Sequence, residues 1–249
     1  MKPDANSIRL LKQKTPISVL TAYTYPIAQL LEKAGISILL VGDSVGMVEM
    51  GFKSTQAVTM EHIEYHTGAV RRGAPNTHII GDMPFGSDST SELALQNALL
   101  LLEAGADSVK LEGPQYETIK TLVANGIDVV GHTGLTPQTA TSFKQVGKDE
   151  KDAARILDEA SKLEEAGCFL LVLEHIPSEL AKRITAEVEI PTIGIGAGKH
   201  CDGQVLVTND ALGLGDYWLP FSKQFARLDQ VIDKAIRQYI HDVESGEFP

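Results

Sequence analysis

Cysteine is nearly absent from this chain: only Cys168 and Cys201 occur in 249 residues. Two thiols cannot build a disulfide framework, so a reducing cytosol is the expected compartment. Cys168 opens an apolar run and reads as a small buried hydrophobe. Long apolar stretches are missing too, since none approaches the roughly 20 residues a membrane helix requires. The opening Met1-Lys2-Pro3-Asp4 lacks a signal peptide's apolar segment, so no membrane association is expected. Positive charge is scarce, with 22 Lys and Arg against 33 Asp and Glu and a net charge of -11. That balance excludes a general nucleic-acid surface. It also repels anions, so an anionic small-molecule substrate must be held by a metal or by local Lys and Arg. No linker or low-complexity tract divides the chain, and the charged stretch at 148–151 reads as a solvated helix entry. One domain spanning 1–249 is expected.

What is present is a repeat. Leu31-Glu32-Lys33-Ala34-Gly35 leads through an apolar run at 36–41 to Asp43. Leu102-Glu103-Ala104-Gly105 leads through Val109 to Glu112, and Leu163-Glu164-Glu165-Ala166-Gly167 leads through 169–173 to Glu174. His78-Ile79-Ile80-Gly81-Asp82 ends the same way after Arg72-Gly73-Ala74-Pro75. The glycine suits the position just past a helix, where positive φ is needed. The apolar run suits a strand buried on both faces, as in a parallel sheet.

Eight strands are predicted, at 18–21, 37–41, 78–81, 108–111, 128–130, 169–173, 191–195 and 204–207. Helical patterns fall at 26–34, 60–72, 91–104, 116–124, 151–166 and 178–186, with a last helix near 225–243. Alternation with short helix-to-strand turns implies a parallel sheet, and eight units imply closure into an α/β, single-domain (β/α)8 TIM barrel. An open doubly wound sheet is the structural competitor. Long connections follow the strands at 44–58 and 133–148, so these loops are candidate lids or pocket walls.

Asp43, Asp82, Glu112 and Glu174 fall at the predicted C-terminal strand ends, where barrel active sites lie. Lys110 and Glu112 are two apart and face one side of their strand. Ser44 follows Asp43, and His132 ends the fifth strand. A single acid at a strand end is more often a helix cap or an ion-pair partner, and Asp43-Ser44 or His132-Thr133-Gly134 could be that alone. Four acids in one mouth with one lysine repel each other without a cation, and their oxygens suit Mg2+. Taken together they point to function.

Other signals carry less. His62 and His66 share a helix face without a zincin Glu between them. Gly194-Ile195-Gly196-Ala197-Gly198 lacks nucleotide-loop spacing, and a strand-end turn explains it as well. Gly42-Asp43-Ser44-Val45-Gly46 is no nucleophile elbow. Arg71-Arg72 closes a helix, where cations favour the dipole in any case.

These segments resemble the ketopantoate hydroxymethyltransferase family. The likeness is carried by residues 40–47, 65–67 with 69–75, Gly81-Asp82-Met83-Pro84-Phe85, Val109-Lys110-Leu111-Glu112-Gly113 and Gly131-His132-Thr133-Gly134-Leu135-Thr136-Pro137-Gln138. Leu173-Glu174, Ile176-Pro177, residues 191–198 and 202–207 complete it, in the family's order from about Thr15 onward. The resemblance implies a Mg2+-dependent barrel with one ion per subunit. It implies transfer of the one-carbon unit of 5,10-methylenetetrahydrofolate to 3-methyl-2-oxobutanoate, giving 2-dehydropantoate for pantothenate synthesis, through an enolate that Mg2+ stabilises. Asp43, Asp82 and Glu112 match its metal residues, Glu112 directly or through water. Ser44, Lys110 and His132, with Asp43 and Asp82, are expected to bind substrate, and Glu174 matches the general base. A cytoplasmic homo-oligomer, often a decamer, is implied as well. Two segments depart from the family's pattern: Phe143-Lys144-Gln145-Val146-Gly147 and Leu219-Pro220-Phe221-Ser222-Lys223. Both bear on lid and folate contacts, not on the metal residues.

The nearest rival is the phosphoenolpyruvate mutase and isocitrate lyase group, whose lyases carry a Lys-Lys-Cys-Gly-His-like motif that this chain lacks. A non-catalytic barrel is the rival of another class; the retained strand-end acids speak against it.

Overall fold

The computed structural model describes residues 2–215 and 221–249. Leu219 and Pro220 of the departing C-terminal segment lie outside the described residues. The chain forms two compact units, Met1–Val205 and Leu206–Pro249.

Eight strands close into a barrel in sequence order: β1 (Ile17–Thr21), β2 (Ile38–Val41), β3 (His78–Asp82), β4 (Ser108–Lys110), β5 (Val129–Gly134), β6 (Leu170–Glu174), β7 (Thr192–Ile195) and β8 (Gly203–Leu206). Successive strands from β1 to β8 pair parallel. The fold is therefore a (β/α)8 barrel, and the open-sheet alternative is excluded. The helices in chain order are α1 (Ala5–Arg9), α2 (Tyr25–Ala34), α3 (Val45–Val48), α4 (Met60–Gly73), α5 (Ser91–Ala104), α6 (Tyr116–Ala124), α7 (Glu150–Glu165), α8 (Ser178–Glu187), α9 (Thr208–Leu212) and α10 (Leu228–Ser245). The Ala-Gly phrase does what its chemistry requires. Gly35 at φ 84° and Gly105 at φ 115° end α2 and α5 in the left-handed region, returning their N–H groups to the last turn.

Side-chain alternation sorts the core into two layers. Ile38 and Leu40 of β2, Ile80 of β3, Val130 of β5, and Leu170 and Val172 of β6 fill the barrel interior. Their neighbours Leu39, Val41, Ile79, Val129, Leu171 and Leu173 pack outward against the helices. Continuing the inward rows by one step gives Asp82, Lys110, His132 and Glu174. The same period that builds the core thus delivers the polar groups to the mouth, in the layer above the last apolar one.

The other end of the barrel is closed by the N-terminal segment, where the sequence analysis placed no helix. Ala5 and Ile8 of α1 join the interior apolar cluster. Lys12 donates to the Thr185 carbonyl at 2.7 Å and to Asp202 at 3.0 Å, and His78 bridges the Pro3 carbonyl (3.1 Å) and Ser108 (2.9 Å). Arg71 does more than face a helix dipole. Its guanidinium donates to the carbonyls of Gly105, Ala74, Pro75 and Thr77 and pairs with Asp107 at 2.5 Å, stitching α4 to the entries of β3 and β4.

Barrel closure depends on Gly203, because a Cβ there would overlap the Ile17 carbonyl oxygen and crowd the Ile193 side chain. Gly203→Ala is expected to destabilise the fold by about 1–3 kcal/mol through overpacking. Denaturant unfolding checks this, and an unchanged midpoint would show that the seam relaxes freely.

In the C-terminal unit, α10 runs for 18 residues and buries none of them, leaving Val231, Ile236, Tyr239 and Ile240 exposed. Among the described residues no helix is long and apolar enough to cross a membrane.

Candidate active site

Strand register sets the first contact of the site. Asp82 is the register partner of Lys110 across β3 and β4, and the Lys110 ammonium donates to Asp82 Oδ1 at 2.5 Å. Both side chains are buried, at 6% and 2% exposed. Asp43 lies one residue beyond the inward row of β2, and the chain turns there. Gly42 occupies the inward position, where a Cβ would point at the Ser44 hydroxyl and the Asp82 carboxylate. The missing side chain leaves room for Asp82 Oδ2 to accept the Asp43 backbone N–H at 3.1 Å. Ser44 is fixed from behind, its hydroxyl 2.8 Å from that of buried Tyr23.

On the opposite wall, His132 stands between two acids. Its Nδ1 is 3.5 Å from Glu112 and its Nε2 is 3.3 Å from Glu174. Both ring nitrogens are buried without a hydrogen-bond partner among the described residues. Burial, aided by the nearby Lys110 charge, holds the imidazole down to about 4 against the pull of Glu112. His132 is therefore neutral, one nitrogen a donor and the other an acceptor.

The acids move the other way. Burial raises Asp82 to about 7, Glu112 to about 7 and Glu174 to about 8, and the Asp43 charge adds to each rise. The Lys110 ammonium opposes all three shifts. For Lys110 itself burial works against the charge, yet Asp82, Glu112 and Asp43 outweigh it and raise its pKa. One lysine facing four acids leaves an excess of buried negative charge, and every one of these shifts retains protons against it.

Among the described residues no three His, Cys, Asp or Glu side chains gather closely enough to enclose a metal ion by themselves. Asp43 and Asp82 are the adjacent pair, while Glu112 is held apart through the Gln138 backbone N–H at 2.8 Å. Hard oxygen donors with surplus negative charge fit an ion that keeps part of its shell for water and substrate. His62 and His66, set aside as a zinc pair, have separate partners: the Thr59 N–H for one and the Tyr23 carbonyl for the other.

Residues 3–249 match the family model described as ketopantoate hydroxymethyltransferase. The chain belongs to the ketopantoate hydroxymethyltransferase family. A 3-methyl-2-oxobutanoate hydroxymethyltransferase of Bacillus licheniformis is 47% identical over all of this chain and 93% of its own length. One of Syntrophus aciditrophicus is 50% identical over 97% of this chain and 92% of its own. Among solved structures, the chain is similar in fold to a phosphoenolpyruvate phosphomutase of Streptomyces platensis subsp. rosaceus (TM-score 0.67, 11% identity, 98% of this chain and 88% of that one). A 2,3-dimethylmalate lyase gives a TM-score of 0.65 at 14% identity, over 100% and 90% of the two chains. At such identities the likeness concerns the barrel, and it lies with the group named above as the nearest rival.

The structure brings Asp43, Ser44, Asp82, Lys110, Glu112, His132 and Glu174 to one barrel mouth. Sequence reasoning missed Tyr23 behind Ser44 and Gln138 between Asp43 and Glu112. Tyr23 lies two residues past β1, and that position was its available signal.

Proposed function

We propose that this chain is a 3-methyl-2-oxobutanoate hydroxymethyltransferase of pantothenate synthesis, using 5,10-methylenetetrahydrofolate as one-carbon donor and Mg2+ as cofactor. The observation that carries the reading is Glu174, a buried acid held up to about 8, in the same mouth as the buried Lys110–Asp82 pair. A proton acceptor and a fixed cation in one barrel mouth are what removal of a proton beside a carbonyl requires.

Asp43 and Asp82 would hold the cation, with Glu112 reaching it through water; when bound, it polarises the oxo acid's carbonyl as a Lewis acid. Lys110 balances negative charge that develops as the C3 proton leaves. Ser44, oriented by Tyr23, offers a hydroxyl to the substrate carboxylate. Glu174 takes the C3 proton, and Nε2 of neutral His132 stands 3.3 Å from the Glu174 carboxyl. Water adds to the methylene carbon of the folate iminium, and the carbon–nitrogen bond breaks to release tetrahydrofolate and the one-carbon aldehyde. The carbon nucleophile attacks that aldehyde carbon, whose oxygen takes a proton and becomes the product hydroxyl. Barrel walls hold both reactants in one place and lower the entropic barrier. The protein is expected to act in the cytoplasm as a homo-oligomer.

Product formation from 3-methyl-2-oxobutanoate tests the reading, measured with and without methylenetetrahydrofolate and Mg2+. Turnover is expected only with all three. Turnover without folate would point to the lyase-type chemistry of the rival group, and no turnover in the complete mixture would overturn the assignment.

A further inference from the structure

Gln138 sits in the connection between β5 and α7, yet it is only 4% exposed. Its side-chain nitrogen donates to Asp43 Oδ2 and to the Met83 carbonyl, both at 3.0 Å. Both amide hydrogens are thereby used. Its backbone N–H donates to Glu112 Oε1 at 2.8 Å, and its carbonyl accepts from Gln56 at 2.8 Å. One loop residue thus ties together the chain just past β2, β3 and β4, and joins them to the connection that follows β2.

We propose that Gln138 is a positioning residue for the acids of this site. It holds one oxygen of Asp43 and one of Glu112, which fixes the rotation of both carboxylates. The second oxygen of Glu112 is left facing His132, 3.5 Å from Nδ1. A carboxylate on a loop or strand end has free torsions, and ordering it at the moment of binding would cost affinity. A neutral amide meets this need better than a charged group. A second ammonium would compete with a cation for the same oxygens, whereas a carboxylate would add to the excess negative charge. The amide supplies two donors and leaves the charge balance untouched. It also couples loop to site: the β5–α7 connection cannot lift at Gln138 without freeing Asp43 and Glu112 together. The inference rests on the cation reading above.

The test compares the full-length protein with Gln138→Met and Gln138→Glu. Methionine keeps the side-chain length and both backbone bonds but removes the donors to Asp43 and Met83. Glutamate keeps the shape and turns a donor into a repelling acceptor. Mg2+ is titrated calorimetrically into each protein without substrate, and thermal midpoints are taken without metal. Both variants are expected to bind Mg2+ about 10–100-fold more weakly, as for loss of a partner that orients a ligand, with midpoints within a few degrees of the parent. Unchanged Mg2+ affinity in either folded variant overturns the proposal and leaves the cation reading standing. Should Gln138→Met unfold, the isosteric Gln138→Glu decides alone. A parent protein that binds no Mg2+, with or without oxo acid, overturns the cation reading instead. Gln138 is then judged on 3-methyl-2-oxobutanoate binding, where an unchanged Kd in Gln138→Met overturns it.

Discussion

Glu174→Gln is expected to leave a folded protein that binds 3-methyl-2-oxobutanoate but no longer exchanges its C3 proton with solvent. Loss of a positioned general base removes on the order of 10^2–10^4-fold in rate. The substitution keeps the shape of the side chain and its packing beside His132, so binding is retained while proton transfer fails. Deuterium incorporation at C3, followed by NMR without folate, reads that step directly. The pH dependence has a defined sign. Glu174 is held up to about 8 by burial, so it carries a proton at lower pH and cannot accept another. Exchange by the parent protein therefore rises as pH increases toward that value. A bound cation, by adding positive charge to the mouth, moves the rise to lower pH. Exchange at the parental rate in Glu174→Gln would remove Glu174 from the role of base.

Lys110→Met is expected to produce the largest loss of stability in the barrel, about 3–5 kcal/mol, as found when one partner of a buried pair is removed. Lys110 and Asp82 are 6% and 2% exposed, so solvent cannot replace the lost ammonium. The effect depends on pH in a direction fixed by the acids. Asp82, Glu112 and Glu174 have folded pKa values raised above their unfolded ones. Their contribution to stability is complete below the unfolded values, about 4, and is lost as pH rises through about 7–8. Without Lys110 those values climb further. Denaturant unfolding should therefore show the deficit of Lys110→Met widening between about pH 5 and about pH 8.5. Adding Asp82→Asn should recover part of the loss, because it removes the carboxylate that the ammonium contacts while the other three acids stay. A deficit independent of pH would mean that Lys110 acts through packing alone.

Much of this was legible in the residues, and the reasons are particular. An acid that ends an apolar run cannot lie in the apolar layer, so Asp82 and Glu174 had to emerge at a strand end. Strand period placed Lys110 on the side of Glu112, but its partner Asp82 is on another strand, and only the β3–β4 register shows that. α1 escaped because five residues hold too little periodicity to mark a helix. Gln138 escaped for a different reason. It ends a segment that carries the family likeness, but nothing in that segment marks a role for it, and the role comes from contacts to residues 26 and 95 positions away. Arg71 was read as a local dipole partner, whereas it also reaches the Gly105 carbonyl and Asp107, 34 and 36 positions away, which only the tertiary structure brings near.

Ala5 and Ile8 close the foot of the barrel beneath an interior already packed with apolar side chains, so the polar layer is reached from the mouth alone. Traffic through one opening is last in, first out. For the two reactants proposed above, the smaller would be seated in the mouth before the bulkier one covers it, and would leave only after the bulkier one has gone. A helix too short to be noticed in the sequence would thereby give the proposed two-reactant chemistry a queue.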